Sequence, residues 1–256
     1  MLLVIDIGNT NITMGLYEGN SLKGTYRLTT KFQRTSDEYG FMLLSFLNAA
    51  NYKAEDIQDI IISSVVPKIN YSFTNCIKKY LHKEPIMVGP GVKTGISIRI
   101  DNPSSLGADR LVDAAGAYFT YGGPCIIIDF GTATTYDVVT EKGEFIGGAT
   151  APGIGICANA LSSQAAKLPE IEISKPEKII AKNTVKSMQA GIVYGYIGQT
   201  EYIIKKLKEE YGKDMKVIST GGLGRIIANE TDSIDIHDAD LTIKGLKIIY
   251  DTTKKG

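Results

Sequence analysis

The sequence has no excess charge of either sign and no long apolar run. Its 256 residues include 28 Lys and Arg against 28 Asp and Glu, so the formal net charge is +0. Without a global basic field, neither nucleic acid nor an anionic membrane is expected as a partner, and phosphate binding must come from local geometry. No apolar run approaches the length of a membrane span, and no basic region precedes a long apolar stretch. We therefore expect neither a membrane span nor a signal peptide.

Cysteine is also scarce, and this bears on the compartment. Cys76, Cys125 and Cys157 are odd in number and far apart in the sequence. This spacing predicts neither a disulfide framework nor a zinc site. Together with an ordinary hydrophobic content of 43%, it favours a globular protein in a reducing, cytoplasmic setting.

The sequence contains two copies of one short motif. Residues 4–11 read Val-Ile-Asp-Ile-Gly-Asn-Thr-Asn, and residues 127–134 read Ile-Ile-Asp-Phe-Gly-Thr-Ala-Thr. Asp6 and Asp129 lie 129 − 6 = 123 positions apart, which is nearly half of the chain. The same offset relates four more identical pairs: Ile5 and Ile128, Gly8 and Gly131, Glu18 and Glu141, and Gly24 and Gly147. Two such loops, facing each other across a cleft, can hold a nucleotide triphosphate and its metal.

Each residue type in the first loop suits that chemistry. A buried strand places Asp6 at its carboxyl end, where α/β folds bind ligands. Gly8 permits a tight turn, and Asn9, Thr10 and Asn11 supply short polar groups for phosphate oxygens. Asp6 would repel phosphate, so we assign it to Mg²⁺, which prefers one or two carboxylates plus phosphate oxygens. The second loop repeats this logic with Asp129, Gly131, Thr132, Thr134 and Thr135. The Gly-x-x-x-x-Gly-Lys-Ser/Thr pattern is missing, which excludes a P-loop enzyme.

The pattern of strands and helices repeats with the motif. Both halves read as three consecutive strands, predicted at 2–7, 11–17 and 22–29 and at 125–129, 134–139 and 144–148. Thr35 and Glu38 predict a capping box for a helix that ends near Ala50. Further elements are predicted as strands at 59–66, 85–88 and 216–219, an extended segment at 93–100, and helices at 71–82, 109–118, 184–211 and 239–250. The segment Tyr121-Gly122-Gly123-Pro124 is the best boundary, which divides a duplicated α/β fold into domains at 1–121 and 122–256.

These loops resemble a known superfamily. The Asp-x-Gly-Asn-Thr loop, the Asp-x-Gly-Thr loop and the late Thr-Gly-Gly at 220–222 are similar to those of the acetate and sugar kinase, heat-shock chaperone and actin superfamily. More closely, the chain resembles the type III pantothenate kinases. The most discriminating segments are Gly-Ala-Asp-Arg at 107–110 and Asn-Thr-Val-Lys-Ser-Met-Gln-Ala-Gly at 183–191. The resemblance covers essentially the whole length and implies two ribonuclease H-like (actin-like ATPase) halves with a cleft between them.

The resemblance also implies an activity and a set of site residues. Members of this family use ATP to phosphorylate pantothenate at its primary hydroxyl, giving 4'-phosphopantothenate in the first step of coenzyme A synthesis. They are cytoplasmic homodimers that need a divalent metal such as Mg²⁺ and a monovalent cation, K⁺ or NH₄⁺. The implied ATP-binding residues are Asp6, Ile7, Gly8, Asn9, Thr10, Asn11, Ile12, Thr13 and Thr132, with Asp6 near the divalent metal and Asp129 at the monovalent cation. The implied pantothenate-binding residues are Gly107, Ala108, Asp109, Arg110 and Thr184, with Thr184 reaching across a dimer interface at the long helix.

The resemblance also implies that Asp109 is the catalytic proton acceptor, and the chemistry of the residues agrees with that role. Phosphoryl transfer needs positioning and charge stabilisation, and a carboxylate that accepts the hydroxyl proton completes the site. Arg110 beside it can anchor the carboxylate of pantothenate. The other reading of Asp109-Arg110 is a solvated pair at a helix start, where Asp is favourable.

Two alternative functions remain open at the level of sequence. Several close family members carry Tyr at the position of Ile100, so a kinase of another small hydroxy or carboxylate acceptor is the first alternative. A non-catalytic ATP-binding regulator is the second, and Asp109 argues against it because a pure binding module needs no general base. His82 and His237 lie outside every motif and are expected to be surface or helix-end residues.

Overall fold

The computed structural model describes residues 1–254, which form two compact units. Unit 1 comprises Met1–Gly95, Ser104–Gly116 and the described part of the C-terminal segment from Thr242. Unit 2 comprises Ile96–Pro103 and Ala117–Leu241. The domain boundary after residue 121 stays a prediction.

Unit 1 is built on a five-stranded mixed sheet with the strand order β3-β2-β1-β4-β5. The strands are β1 (Leu2–Ile7), β2 (Asn11–Glu18), β3 (Ser21–Thr29), β4 (Asp59–Ser64) and β5 (Ile86–Met87). The central strand β1 pairs antiparallel with β2 and parallel with β4. The predicted strands are therefore confirmed with small shifts, although β4 ends two residues early.

Two helices cover one face of this sheet, α1 (Ser36–Ala49) and α2 (Pro67–Leu81). The predicted capping box is present: the Glu38 backbone N–H donates to Thr35 Oγ1, and the Thr35 backbone N–H donates to Glu38 Oε2 at 2.7 Å. The expectation that α2 begins at Tyr71 is wrong. Pro67 opens the helix because proline lacks only an N–H that the first turn would leave unpaired.

Leu3, Ile5 and Ile7 of β1 lie in the core under α1 and α2. Because alternate side chains of a strand point to opposite faces, Leu2, Val4 and Asp6 lie on the other face of the sheet. Two more helices are α3 (Ala108–Tyr121), which is longer at both ends than the predicted 109–118, and α7 (Leu241–Lys254), which is shifted towards the C-terminus from the predicted 239–250. Residues of α7 lie against this second face, because a Cβ added at Gly15 would be 2.5 Å from Ile243 Cγ2 and 3.0 Å from Val4 Cγ2.

Unit 2 repeats the sheet of unit 1 and adds one strand, with the order β11-β10-β7-β8-β9-β6. Its strands are β6 (Ser97–Ile98), β7 (Cys125–Phe130), β8 (Ala133–Val139), β9 (Glu144–Pro152), β10 (Lys216–Thr220) and β11 (Ile236–His237). The limits of β7 and β9 are those of β1 and β3 plus 123. Both sheets also have a register shift near the end of the second strand of the motif, between Leu16 and Tyr17 in unit 1 and between Val138 and Val139 in unit 2. The predicted duplicated α/β fold is confirmed.

The helices of unit 2 are α4 (Ile154–Gln164), α5 (Thr184–Tyr211) and the short α6 (Gly224–Ala228). The 28-residue α5 has its predicted limits, and Asn183 caps it by accepting a hydrogen bond from the Lys186 backbone N–H at 2.9 Å. Helix α4 was not predicted, because its N-cap is Gly153, which offers no side-chain cap, and its composition is weakly amphipathic. In the part of the chain that the structure describes, no helix has both the length and the apolar character to cross a membrane.

Candidate active site

The first Asp-x-Gly loop is a tight turn fixed by its own backbone. The Gly8 N–H donates to the Asn11 carbonyl oxygen at 3.0 Å, and a Cβ at Gly8 would lie 3.2 Å from the same oxygen. Thr30 ties the loop to the end of β3, because its hydroxyl donates to Gly8 O and its N–H donates to Thr10 O. The exposed side chains of Asn9, Thr10 and Asn11 are thus presented on a fixed backbone, as an oxyanion-binding loop requires.

Asp6 lies at the end of β1 with one carboxylate oxygen orphaned. Its Oδ1 is buried and has no hydrogen-bond partner among residues 1–254. Burial, and then the charge of Asp109, raises the pKa of Asp6 to about 7. The neighbouring Ser63 hydroxyl favours the ionised form, yet no hydrogen bond of ordinary geometry joins the two groups. Asp6 is therefore a half-buried acid with a raised pKa and one buried oxygen that no described residue pairs.

The start of α3 brings Asp109 into the same unit. The Arg110 N–H donates to Asp109 Oδ1 at 2.8 Å, and a Cβ at Gly107 would lie 2.4 Å from that oxygen. Glycine at 107 therefore makes room for the carboxylate. The same Cβ would be 3.6 Å from Val65 Cγ1, which places the start of α3 beside the end of β4.

The electrostatics of Asp109 suit a proton acceptor. Burial raises the pKa of Asp109, and the Arg110 N–H and guanidinium charge oppose the shift. A carboxylate whose pKa moves toward neutrality becomes a better general base. Because Asp109 also raises the pKa of Asp6, the two carboxylates interact through their charges.

The donor set at Asp6 fits a magnesium ion that arrives with a nucleotide. Over the described residues, no group of three or more His, Cys, Asp or Glu side chains could hold a metal ion alone. Mg²⁺ is usually held by one or two carboxylates, with phosphate oxygens and water completing its shell. The orphaned Oδ1 of Asp6 next to a phosphate-type loop is consistent with that arrangement.

The second Asp-x-Gly loop lies in unit 2, and glycine backbones pack closely against it. A Cβ at Gly221, where φ is +95°, would be 2.7 Å from Asp129 Oδ1, and a Cβ at Gly131 would be 3.0 Å from Asp129 Oδ2. At Gly153 an added Cβ would lie 2.2 Å from the Thr132 carbonyl oxygen, to which the Gly153 N–H donates at 3.0 Å. The late Thr-Gly-Gly segment and the second loop, which are far apart in sequence, therefore meet around Asp129.

Three other residues predicted to bind a substrate are not among the exposed polar side chains of the two loops: Ile7, Ile12 and Thr184. The side chains of Ile7 and Ile12 lie in the hydrophobic core of unit 1, so only their backbone atoms could contact a nucleotide. Thr184 is exposed at the N-terminus of α5. It lines a groove of about 660 Å³ together with Leu161, Leu168 and Met188.

The two histidines differ. His82 is the exposed C-cap of α2 with φ of 53°, as expected of a helix-end residue. The same expectation is wrong for His237, which is half-buried on β11 and hydrogen-bonded to Ser219 Oγ at 3.0 Å. Burial lowers its pKa.

Sequence reasoning missed two residues, one beside the first loop in unit 1 and one beside the second loop in unit 2. Ser63 is fully buried beside Asp6, and Gly153 packs on the second loop. The Pro152-Gly153-Ile154-Gly155 segment after a strand was a usable signal for a close backbone approach. A serine at the end of a strand carries no comparable signal.

Comparison with a solved kinase structure first defines the class of fold. The chain is similar to an inorganic polyphosphate/ATP-glucomannokinase from Arthrobacter sp. strain KM, with a TM-score of 0.51, 13% identity, and coverage of 100% of this chain and 99% of that one. At this identity the likeness concerns the fold alone. With the duplicated sheet order, it defines a protein of the actin-like ATPase fold.

Closer relatives then define the family. The sequence profile of type III pantothenate kinase matches residues 2–206. A type III pantothenate kinase from Agathobacter rectalis is 58% identical over 98% of this chain and 96% of the relative. Another from Geobacillus kaustophilus is 50% identical over 100% of both chains. The chain belongs to the type III pantothenate kinase family.

Proposed function

We propose that this protein transfers the γ-phosphoryl group of ATP to the primary hydroxyl of pantothenate, giving 4'-phosphopantothenate and ADP. Family membership over the full length supports the reaction. The observation that carries the assignment to particular residues is the pair of half-buried carboxylates in unit 1, Asp6 with a buried, orphaned oxygen and Asp109 with a raised pKa. A binding module could use Asp6 to hold Mg²⁺, but it would need no general base such as Asp109.

In this proposal Asp109 is the general base. Its carboxylate accepts the proton of the pantothenate hydroxyl as that oxygen bonds to the γ-phosphorus atom and the bond from the γ-phosphorus to the β,γ-bridging oxygen breaks. The Arg110 N–H holds Asp109 Oδ1 in place, and the Arg110 guanidinium anchors the pantothenate carboxylate. Gly107 and Ala108 line the acceptor pocket.

The first loop holds the nucleotide. Residues 6–13 bind the ATP phosphates through the side chains of Asn9, Thr10 and Asn11 and through the backbone of the buried isoleucines, while Thr132 contributes from the second loop. Asp6 binds Mg²⁺, which when bound neutralises charge on the transferring phosphoryl group. We assign the monovalent cation, K⁺ or NH₄⁺, to Asp129.

We further propose a cytoplasmic homodimer in which Thr184 completes the acceptor site of the partner subunit. Exposed apolar side chains around α4 and the N-terminus of α5 support an interface there. They are Ile156, Leu161, Ile179, Ile180 and Val185.

The test is pantothenate-dependent ADP release by wild type, Asp109→Asn and Asp101→Asn. Loss of the base should lower kcat by about 10²- to 10⁴-fold. Asp101 is an exposed acid shortly before α3, and its variant should keep wild-type turnover. Circular dichroism checks that Asp109→Asn remains folded.

Two results would contradict this proposal. Wild-type protein that forms no ADP with pantothenate, Mg²⁺ and K⁺, but forms it with another hydroxy acid or sugar, changes the acceptor. Folded Asp109→Asn with wild-type kcat removes Asp109 from the role of base.

A further inference from the structure

A fully buried serine at the end of β4 has an orphaned hydroxyl. Ser63 has 0% of its surface exposed, and its Oγ finds no hydrogen-bond partner among the residues described. Such a group costs stability unless something pairs with it. Its neighbour Ser64 shows the contrast, because that hydroxyl donates to Asn70 Oδ1 and accepts from the Val66 N–H. The Ser63 hydroxyl is therefore free to hydrogen-bond to a ligand.

The second orphaned atom of this sheet lies directly beside it. In the parallel pairing of β1 and β4, Asp6 is the Cα partner of Ser63. Directly paired residues of neighbouring strands point to the same face of the sheet. Asp6 Oδ1 and Ser63 Oγ are thus two buried, unpartnered polar groups on one face at one end of the sheet. Buried polar atoms without partners are rare, and two adjacent ones point to a shared polar ligand.

The internal duplication preserves the same row of residues. Asp6 lies between Thr13 on β2 and Ser63 on β4, in the register of both pairings. In unit 2, Asp129 lies between Thr135 on β8 and Thr220 on β10. Both copies therefore place a hydroxyl-bearing residue on each side of the loop aspartate. A requirement of the fold alone would be met equally by an apolar residue at 63, as at Ile61 on the same face.

We propose that Ser63 is a positioning residue of the divalent-cation site, whose hydroxyl binds the hydration shell of the cation held by Asp6. This proposal rests on the proposed function, because it takes a magnesium–nucleotide complex as the ligand of Asp6. Groups that hydrogen-bond to metal ligands and bound water orient them, and their loss weakens metal binding by about 10- to 100-fold. The hydroxyl is short and rigidly placed on a strand, so it fixes the position of the shell without adding charge.

The experiment compares Ser63→Ala with wild type in two measurements that do not use turnover. Calorimetric titration with Mg²⁺ and a non-hydrolysable ATP analogue should show a Kd about tenfold higher for the variant. Thermal unfolding in EDTA should show a Tm that is unchanged or higher, because the substitution removes an unpaired buried hydroxyl. Ser63→Cys, with a weak donor of similar size, should have an intermediate Kd.

Ser219→Ala is the matched control. Ser219 is also a fully buried strand serine, but its hydroxyl bonds to His237 Nδ1. This variant should lose Tm in EDTA and keep the wild-type Kd.

Two outcomes would overturn the role of Ser63. One is a wild-type Kd for Ser63→Ala. The other is a lower Tm of that variant in EDTA, whatever its Kd, since it would show that the hydroxyl is paired in the metal-free protein. Wild-type protein that binds the magnesium–analogue complex without phosphorylating pantothenate refutes the proposed reaction and leaves the Ser63 assignment intact. Wild-type protein that does not bind the complex refutes both.

Discussion

Thr242 Oγ1 donates a hydrogen bond of 2.6 Å to Asp113 Oδ1, and this bond joins helix α7 to helix α3. Asp113 is only 3% exposed and lies one helical turn after Asp109. Next to this hydrogen bond, a Cβ added at Gly245 would lie 2.1 Å from the Val112 carbonyl oxygen. The backbones of the two helices are therefore in direct contact at Gly245. The C-terminal helix therefore fixes the turn of α3 that follows the proposed base.

Thr242→Val should show how much this contact contributes. The substitution keeps the shape of the side chain and removes the donor to a buried carboxylate, which we expect to lower the free energy of unfolding by about 1–3 kcal/mol. Since α3 also carries Asp109, kcat should fall while the KM for ATP changes little. Urea unfolding and steady-state kinetics measure both effects, and Thr242→Ser should restore both. Wild-type stability and kcat in Thr242→Val would show that α7 does not position α3.

The repeated pattern of strands and helices was enough to predict a duplicated α/β fold, because its signals are local. The residues of an apolar strand and of the glycine turn after it are neighbours in the sequence. The same is true of the capping box, whose two residues, Thr35 and Glu38, lie within one helical turn. Both were predicted closely. The offset of 123 between the copies of the Asp-x-Gly motif also predicted that the second sheet would repeat the first.

Residues whose role depends on strand order could not be predicted in this way. Ser63 matters because β4 is the parallel neighbour of β1, and sequence periodicity does not state which strands are adjacent. The Thr242–Asp113 contact joins positions that are 129 residues apart. Gly153 and Gly221 belong to the second loop only because their backbones approach it in the folded chain.

Gly221→Ala should disable the second loop. At φ of +95° an alanine is strained, and its Cβ would be 2.7 Å from both Asp129 Oδ1 and the Phe130 backbone N. We expect activation by K⁺ to be reduced at least tenfold, because the Asp129 carboxylate must move. The adjacent Gly222→Ala is the matched control, since a Cβ there has no atom within 4 Å. Equal K⁺ dependence of the two variants and wild type would contradict the assignment of Asp129.

The stability of the metal-free protein should depend on pH through Asp6. Burial, with the charge of Asp109, raises the pKa of this carboxyl from 3.8 to about 7 in the folded state. Folding thus favours the protonated form, whose contribution is full below the unfolded pKa and is lost as the pH rises through about 7.

Asp6→Asn cannot ionise. Its free energy of unfolding, relative to wild type, should therefore rise by on the order of 3 kcal/mol between about pH 4 and about pH 8. Urea unfolding in EDTA at both pH values measures the difference. A difference that is independent of pH would mean that Asp6 is ionised throughout.

Leu161→Asp and Val185→Asp should dissociate the proposed dimer. Both residues are apolar, 39% and 40% exposed, and lie on α4 and at the start of α5 beside Thr184. A buried, unpaired charge at an interface is strongly unfavourable, so we expect the dimer Kd to rise by at least 100-fold. Sedimentation equilibrium measures this, and Phe41→Asp on α1, where the phenylalanine is 74% exposed, is the control. If Thr184 acts on the partner subunit's acceptor site, the monomeric variants should also have a raised KM for pantothenate, whereas monomers with the wild-type KM would place Thr184 outside that site.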